Sequence, residues 1–134
     1  MNELIDIKFY SQIKSILESA RGQVYKAANS AMILAYWQIG KNIVEQQGGD
    51  ERADYGARLI SELAKRLTAD FGKGFDERNL RNMRAFYLAF PNWNTVCTEL
   101  TWSHYRTVLR VENAEARNWY IREAASEGWS VRQL

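Results

Sequence analysis

The chain has 134 residues and a formal net charge of +2, with 46% hydrophobic and 25% charged residues, which is the composition of one ordinary globular domain able to bury its own core. Its one cysteine, Cys97, excludes an internal disulfide, reads as a small packing residue and points to a reducing cytoplasm. No basic start and apolar run marks a secretory signal, and the most apolar window, 31–39, is less than half the roughly 20 residues a membrane span needs.

The single proline, Pro91, favours long helices. From residue 4 to 47 apolar residues recur every three or four positions, among them Ile5, Phe9, Ile13, Leu17, Ala20, Val24, Ala27, Ala31 and Leu34, which predicts one amphipathic helix. Unbroken, it would be about 60 Å long, roughly twice the diameter of a domain this size, so part of it should project. A projecting apolar face needs a partner, and a homodimer through this helix is expected. Gly22, which costs about 1 kcal/mol against alanine in a helix, leaves open a break into two shorter helices. Residues 46–53, with the pair Gly48 and Gly49, read as the first loop.

A second helix is predicted over 54–70, with Leu59, Ile60, Leu63, Leu67 and Phe71 on one face and Arg58, Lys65 and Thr68 on the other. Gly72 and Gly74 end it. Asp76 is the expected N-cap of a third helix, with Asn79 at the third position after it. That helix turns Leu80, Met83, Tyr87 and Phe90 inward with Phe86 at the edge, and Arg78, Arg81, Asn82 and Ala85 outward; Arg84 and Asn79 flank the buried face. Pro91 stops it, and residues 91–99 read as a loop or short extended piece, open to a β-wing. Helices over 102–110, capped by Thr101 or Ser103, and over 114–127, capped by Asn113 and ended by Gly128, complete the pattern. Residues 130–134 read as the start of another helix, as if a longer protein continued.

The charge is concentrated. Residues 56–90 hold 7 Lys and Arg against 4 Asp and Glu, while the remainder holds 11 against 12. Two helices joined by a short glycine-containing turn make a helix-turn-helix, whose second helix enters the DNA major groove. Arginine and asparagine are the common readers of guanine and adenine edges, which nominates Arg78, Arg81 and Asn82, beside an Ala85 small enough for close approach. Lys65, Arg66 and Lys73 stand where phosphate contacts arise, and Arg84 belongs to the same basic helix. A solvated basic face pairing with Glu77 or Asp70 is the competing reading.

Nothing in the pattern forms an active site. His104 is the only histidine, so a nitrogen- or sulfur-ligated metal site is not expected, and it reads as a capping or packing residue. Ser103, His104 and Glu112 show no nucleophile-elbow pattern, and glycine-rich phosphate loops are absent. Asp54, Asp70 and Asp76 fall at helix ends, where capping accounts for them. Trp37 is expected inside the core, and Trp93, Trp102, Trp119 and Trp129 in the core or an interface, ahead of stacking on single-stranded bases.

Seven ordered blocks carry a resemblance. They are Tyr36-Trp37-Gln38-Ile39-Gly40, Tyr55-Gly56, Leu67-Thr68-Ala69-Asp70-Phe71-Gly72, Gly74-Phe75-Asp76-Glu77-Arg78-Asn79-Leu80-Arg81-Asn82-Met83-Arg84-Ala85-Phe86-Tyr87, Leu100-Thr101-Trp102-Ser103-His104-Tyr105, Trp119-Tyr120-Ile121-Arg122-Glu123-Ala124 and Gly128-Trp129-Ser130-Val131-Arg132-Gln133-Leu134. Together they resemble the N-terminal domain of the YhcG-type bacterial proteins. The resemblance implies a helical, winged-helix-like DNA-binding module preceding a C-terminal nuclease domain of the PD-(D/E)XK superfamily in the same full-length chain. It supports Arg78, Arg81 and Arg84 as a basic helix and carries over no catalytic residue.

The sequence therefore predicts an all-α helical bundle with a long N-terminal helix and a helix-turn-helix (winged-helix-like) unit, residues 1–134 forming a single domain. The expected function is DNA binding and dimerisation that target an attached nuclease. No catalysis by this chain, no cofactor, no metal and no membrane partner are expected. The rival readings are a protein-interaction module without DNA contact and, more distantly, an enzyme in its own right.

Overall fold

In a computed structural model the described residues are 6–48 and 53–134, with side chains described from residue 55 in the second stretch. The described residues are helical and contain no strand. The order is α1 (Ile7–Gln47), α2 (Ala53–Phe71), α3 (Glu77–Ala89), a 3-10 turn (Trp93–Thr95), α4 (Trp102–Val108) and α5 (Ala114–Glu127). No helix among the described residues is long and apolar enough to cross a membrane.

The long first helix is continuous. Asp6 caps it, its Oδ1 accepting from the Phe9 N–H at 2.7 Å, and Gly48 closes it in the left-handed region. Gly22 does not break it, because an isolated glycine only weakens a helix whose neighbours all favour it. At 1.5 Å per residue the 41 residues span about 60 Å. The expected loop at 46–53 is shorter than its composition suggests: Gln46 and Gln47 stay helical, and residues 49–52 lie outside the described residues.

Only the second half of α1 belongs to the packed body. Across residues 7–28 every residue except Gly22 is exposed, whereas Ile33, Trp37, Gly40 and Ile43 are buried. The central helix is α3. Its Leu80 and Met83 pack with Ile43 of α1 and with Ile60 and Ala64 of α2. One turn further on, Phe86 and Phe90 pack with Ile33 and Trp37 of α1, Tyr105 and Val108 of α4, and Ile121 and Ala124 of α5. Phe86, expected at the edge of the buried face, is fully buried, and Tyr87 is only partly so. The reason is that α3 is covered on two sides, and Phe86 meets the Tyr105 ring of α4 at 4.6 Å.

Polar ties fix the segments between the helices. The Trp37 Nε1–H donates to the Phe90 carbonyl at 2.7 Å, satisfying the end of α3. Asn29 Nδ2 donates to the carbonyls of Thr98 and Leu100 at 3.1 and 2.9 Å, holding the chain before α4 against α1. Residues 91–99 thus form a 3-10 turn and a pinned irregular segment, and the β-wing left open there is absent. Residues 130–134 do not begin a helix either. They form a turn in which the Ser130 N–H donates to Gln133 Oε1 at 2.7 Å, while Leu134 packs on the core.

The two glycines inside α1 have opposite roles. A Cβ on Gly40 would lie 2.0 Å from the Met83 carbonyl oxygen, whereas one on Gly22 meets nothing within 4 Å. Gly40→Ala is expected to cost about 2 kcal/mol or more by forcing α1 off α3. Gly22→Ala should instead stabilise by about 0.5–1 kcal/mol. Urea unfolding of the two variants beside the parent checks both signs.

Candidate nucleic-acid interface

Residues 72–76 join α2 to α3, with Gly72 and Gly74 at φ of 81° and 105°, a backbone that other residues adopt only with strain. Asp76 caps α3 as expected, its Oδ1 accepting from the Asn79 N–H at 2.7 Å. Asn79 has a further role. Its Nδ2 donates to the Gly74 carbonyl at 2.6 Å and its Oδ1 accepts from Trp102 Nε1 at 2.9 Å, so it links the turn, α3 and α4.

That link places α4 beside the outward arc of α3 and creates a groove of about 570 Å³. One wall carries Arg78, Asn82 and Ala85 of α3; the other carries Ser103, Arg106 and Thr107 of α4, with Arg110 just after it. Asp76 is the one carboxylate in the lining, against three guanidinium groups. None of the three is in an ion pair among the described residues; Arg106 Nη2 donates to Ser103 Oγ at 3.2 Å. Asn82 and Ala85, expected to be exposed, are half-buried because α4 walls that arc.

The other predicted contact residues lie elsewhere. Arg81 lies outside the groove lining and sits 3.7 Å from Glu77, both side chains about half-exposed. Such a pair is worth only a fraction of a kcal/mol and leaves the arginine available. Arg84 donates from Nε to Gln47 Oε1 at 2.7 Å and is partly buried, tying α3 to the end of α1. Lys65 and Arg66 are exposed on α2 and Lys73 is exposed in the turn, all outside the groove lining. The structure thus groups Arg78 and Asn82 with two arginines that sequence reasoning missed, Arg106 and Arg110. Their signal was present: Ser103, Arg106, Thr107 and Arg110 form a polar stripe at helical spacing.

The wall formed by α4 is braced from behind. Thr101 and His104 form a reciprocal cap, in which Nδ1 accepts from the Thr101 N–H at 3.1 Å. The proton then resides on Nε2, which lies 2.8 Å from the Trp129 carbonyl. His104 is therefore a capping residue, as expected, and it also anchors the chain after α5. Fully buried Tyr105 donates its hydroxyl to the Cys97 carbonyl at 2.5 Å and accepts from the Cys97 N–H at 2.9 Å. Burial, and secondarily the neighbouring Cys97 thiol, push the Tyr105 hydroxyl well above the ordinary phenol range. Of the remaining tryptophans, Trp93, Trp102 and Trp129 are half-buried on the core, while Trp119 is 46% exposed beside Tyr120. Among the described residues no group of three or more His, Cys, Asp or Glu side chains could hold a metal ion.

Residues 12–134 match the family model described as the DUF1016 N-terminal domain. The chain belongs to this family. It is 35% identical, over an alignment of 160 residues, to "Putative nuclease YhcG" of Escherichia coli (strain K12). The alignment covers 95% of this chain and 43% of that protein, so the chain spans less than half of its relative's length. No solved structure matches the chain. The resemblance carried by the seven sequence blocks is thereby confirmed, and the DUF1016 N-terminal domain is seen here as an all-helical unit associated with a nuclease relative.

Tyr105→Phe keeps the ring and leaves both Cys97 backbone groups without their partner, at a cost of about 1–3 kcal/mol at neutral pH. The native hydroxyl stays protonated where the unfolded one ionises, so its contribution is complete below about pH 10 and is lost as the pH rises further. The stability gap between parent and variant, followed by thermal melting from pH 7 to 11, should narrow above pH 10.

Proposed function

We propose that this chain is a DNA-binding and dimerisation module that brings an attached PD-(D/E)XK-type nuclease domain to DNA in the cytoplasm. The observation carrying the reading is the convergence of Arg78, Arg106 and Arg110 on one groove with a single opposing carboxylate. In this reading α2, the glycine turn and α3 form a helix-turn-helix. Lys65, Arg66, Lys73 and Arg81 supply outlying phosphate contacts, and Arg84 acts through its tie to α1. The nuclease assignment of the relative supports DNA as the target.

Neutralising phosphates releases counterions, so binding should depend steeply on salt. The three groove arginines alone should make affinity fall about 20-fold for a single strand, and about 40-fold for a duplex, between 50 and 200 mM salt, and the outlying contacts should steepen that fall. Fluorescence anisotropy with labelled duplex, single-stranded and branched DNA measures this. No binding to any form at low salt would transfer the role to a protein-interaction module.

Dimerisation is supported by the projecting half of α1. Tyr10, Ile13, Leu17, Ala20, Val24, Ala27 and Ala31 follow one another at alternating steps of three and four, the seam of a two-helix coiled coil, and all are exposed. Ile13→Glu with Leu17→Glu should convert a species of twice the chain mass into a monomer in sedimentation equilibrium, with the helical fold retained. A parent that sediments as a monomer at tens of micromolar would exclude this seam as a dimer contact.

A further inference from the structure

We propose that the groove between α3 and α4 holds the sugar–phosphate backbone of a single nucleic-acid strand and does not read its bases. The proposal rests on the DNA-binding reading above and changes its mode. The sequence presents Arg78 and Asn82 as base readers on a helix that enters the major groove. In the fold those two side chains line a groove whose opposite wall is α4, so α3 cannot present that arc freely to a duplex.

The chemistry of the lining matches a phosphodiester chain. Arg78 faces the groove from one wall and Arg106 and Arg110 from the other, giving cations on both sides of whatever lies between. The one carboxylate, Asp76, already accepts the Asn79 N–H. Arg106 donates to the Ser103 oxygen, which leaves the Ser103 hydroxyl hydrogen free to point at an anion. Asn82 has no hydrogen-bond partner among the described residues, while Asn79 is committed on both its oxygen and its nitrogen.

What the lining lacks decides between backbone and bases. Strand-binding grooves that hold bases stack them on aromatic rings. No aromatic side chain lines this groove; its apolar members are Ala85, Leu109 and Val131. A volume of about 570 Å³ is that of a small-molecule pocket. It accommodates a short run of sugar–phosphate backbone.

The test is anisotropy at 50 mM salt with two labelled 12-nucleotide single strands, one with natural bases and one made of abasic deoxyribose phosphates, against the parent chain and variants. The abasic strand should bind within about threefold of the natural one. Arg106→Ala with Arg110→Ala should weaken both at least tenfold, and Lys14→Ala with Lys26→Ala, on the projecting half of α1, should leave both nearly unchanged. Arg78→Ala, on the opposite wall, serves as the second probe if the α4 variant melts early. An abasic strand bound tenfold or more weakly than the natural one overturns the proposal while DNA binding stands. So does full affinity in the groove variants. If the parent binds neither strand nor a duplex, the DNA-binding reading itself falls.

Discussion

The crossing of α1 over α3 at Gly40 organises the molecule. A hydrogen in place of a side chain lets the α1 backbone come against the Met83 carbonyl, with the Tyr87 Cβ alongside. That approach sets how deeply α3 lies, and α1 and α3 both contribute buried residues to the two clusters of the core. At the start of α3 Leu80 and Met83 hold α2; at its end Phe86 and Phe90 hold α4 and α5. Fully burying one such side chain contributes about 1.5–3 kcal/mol, so the four together outweigh any surface ion pair in the domain.

The groove follows from that arrangement. Because Phe86 meets Tyr105 and Asn79 bonds Trp102, α4 is held beside α3 by apolar and polar contacts at different heights along the helix. The polar stripe of α4 is thereby turned toward the arginine and asparagine of α3. A short helix of seven residues would be marginal alone. Its position comes from the Thr101–His104 cap, the Tyr105 bridge to Cys97 and the Asn29 ties beneath the segment that precedes it. The binding wall is therefore built by buried residues that never reach a ligand.

Helix positions and caps were legible in the sequence because they are local. Asp76, Thr101, Asn113 and Gly128 cap where residue type and spacing place them. The long helix was legible from its three-and-four periodicity, and its continuity through Gly22 was not, since one glycine shifts the balance by only about 1 kcal/mol. Of the candidate site, Arg78 and Asn82 were found through their helix, but their partners were not. Arg106 lies on a different helix and Arg110 just after it, and long-range contacts of Asn79 with Trp102 and of Phe86 with Tyr105 bring the two stripes together. Arg84 flanks the buried face on a helical wheel, yet its bond to Gln47 depends on where α1 ends. The 3-10 turn and the closing turn at 130–134 were missed although their hydrogen bonds are local, from Asn92 and between Ser130 and Gln133, because so short a stretch carries no hydrophobic period.

The uneven burial of α1 means that one helix contains two regimes of local stability. Across residues 33–43 the helix is anchored in the core through Ile33, Trp37, Gly40 and Ile43, and opening it requires disrupting that core, so its amides should exchange with solvent deuterium only at the cost of global unfolding. In the projecting half of a free chain the same hydrogen-bond ladder is protected by little more than helix propensity, and fraying from Asp6 inward suffices to open it. The boundary falls near Asn29, the first residue of α1 whose side chain reaches the body. Amide exchange along α1 would therefore rise and fall with whatever covers its exposed seam, making the helix a built-in reporter of its own occupancy.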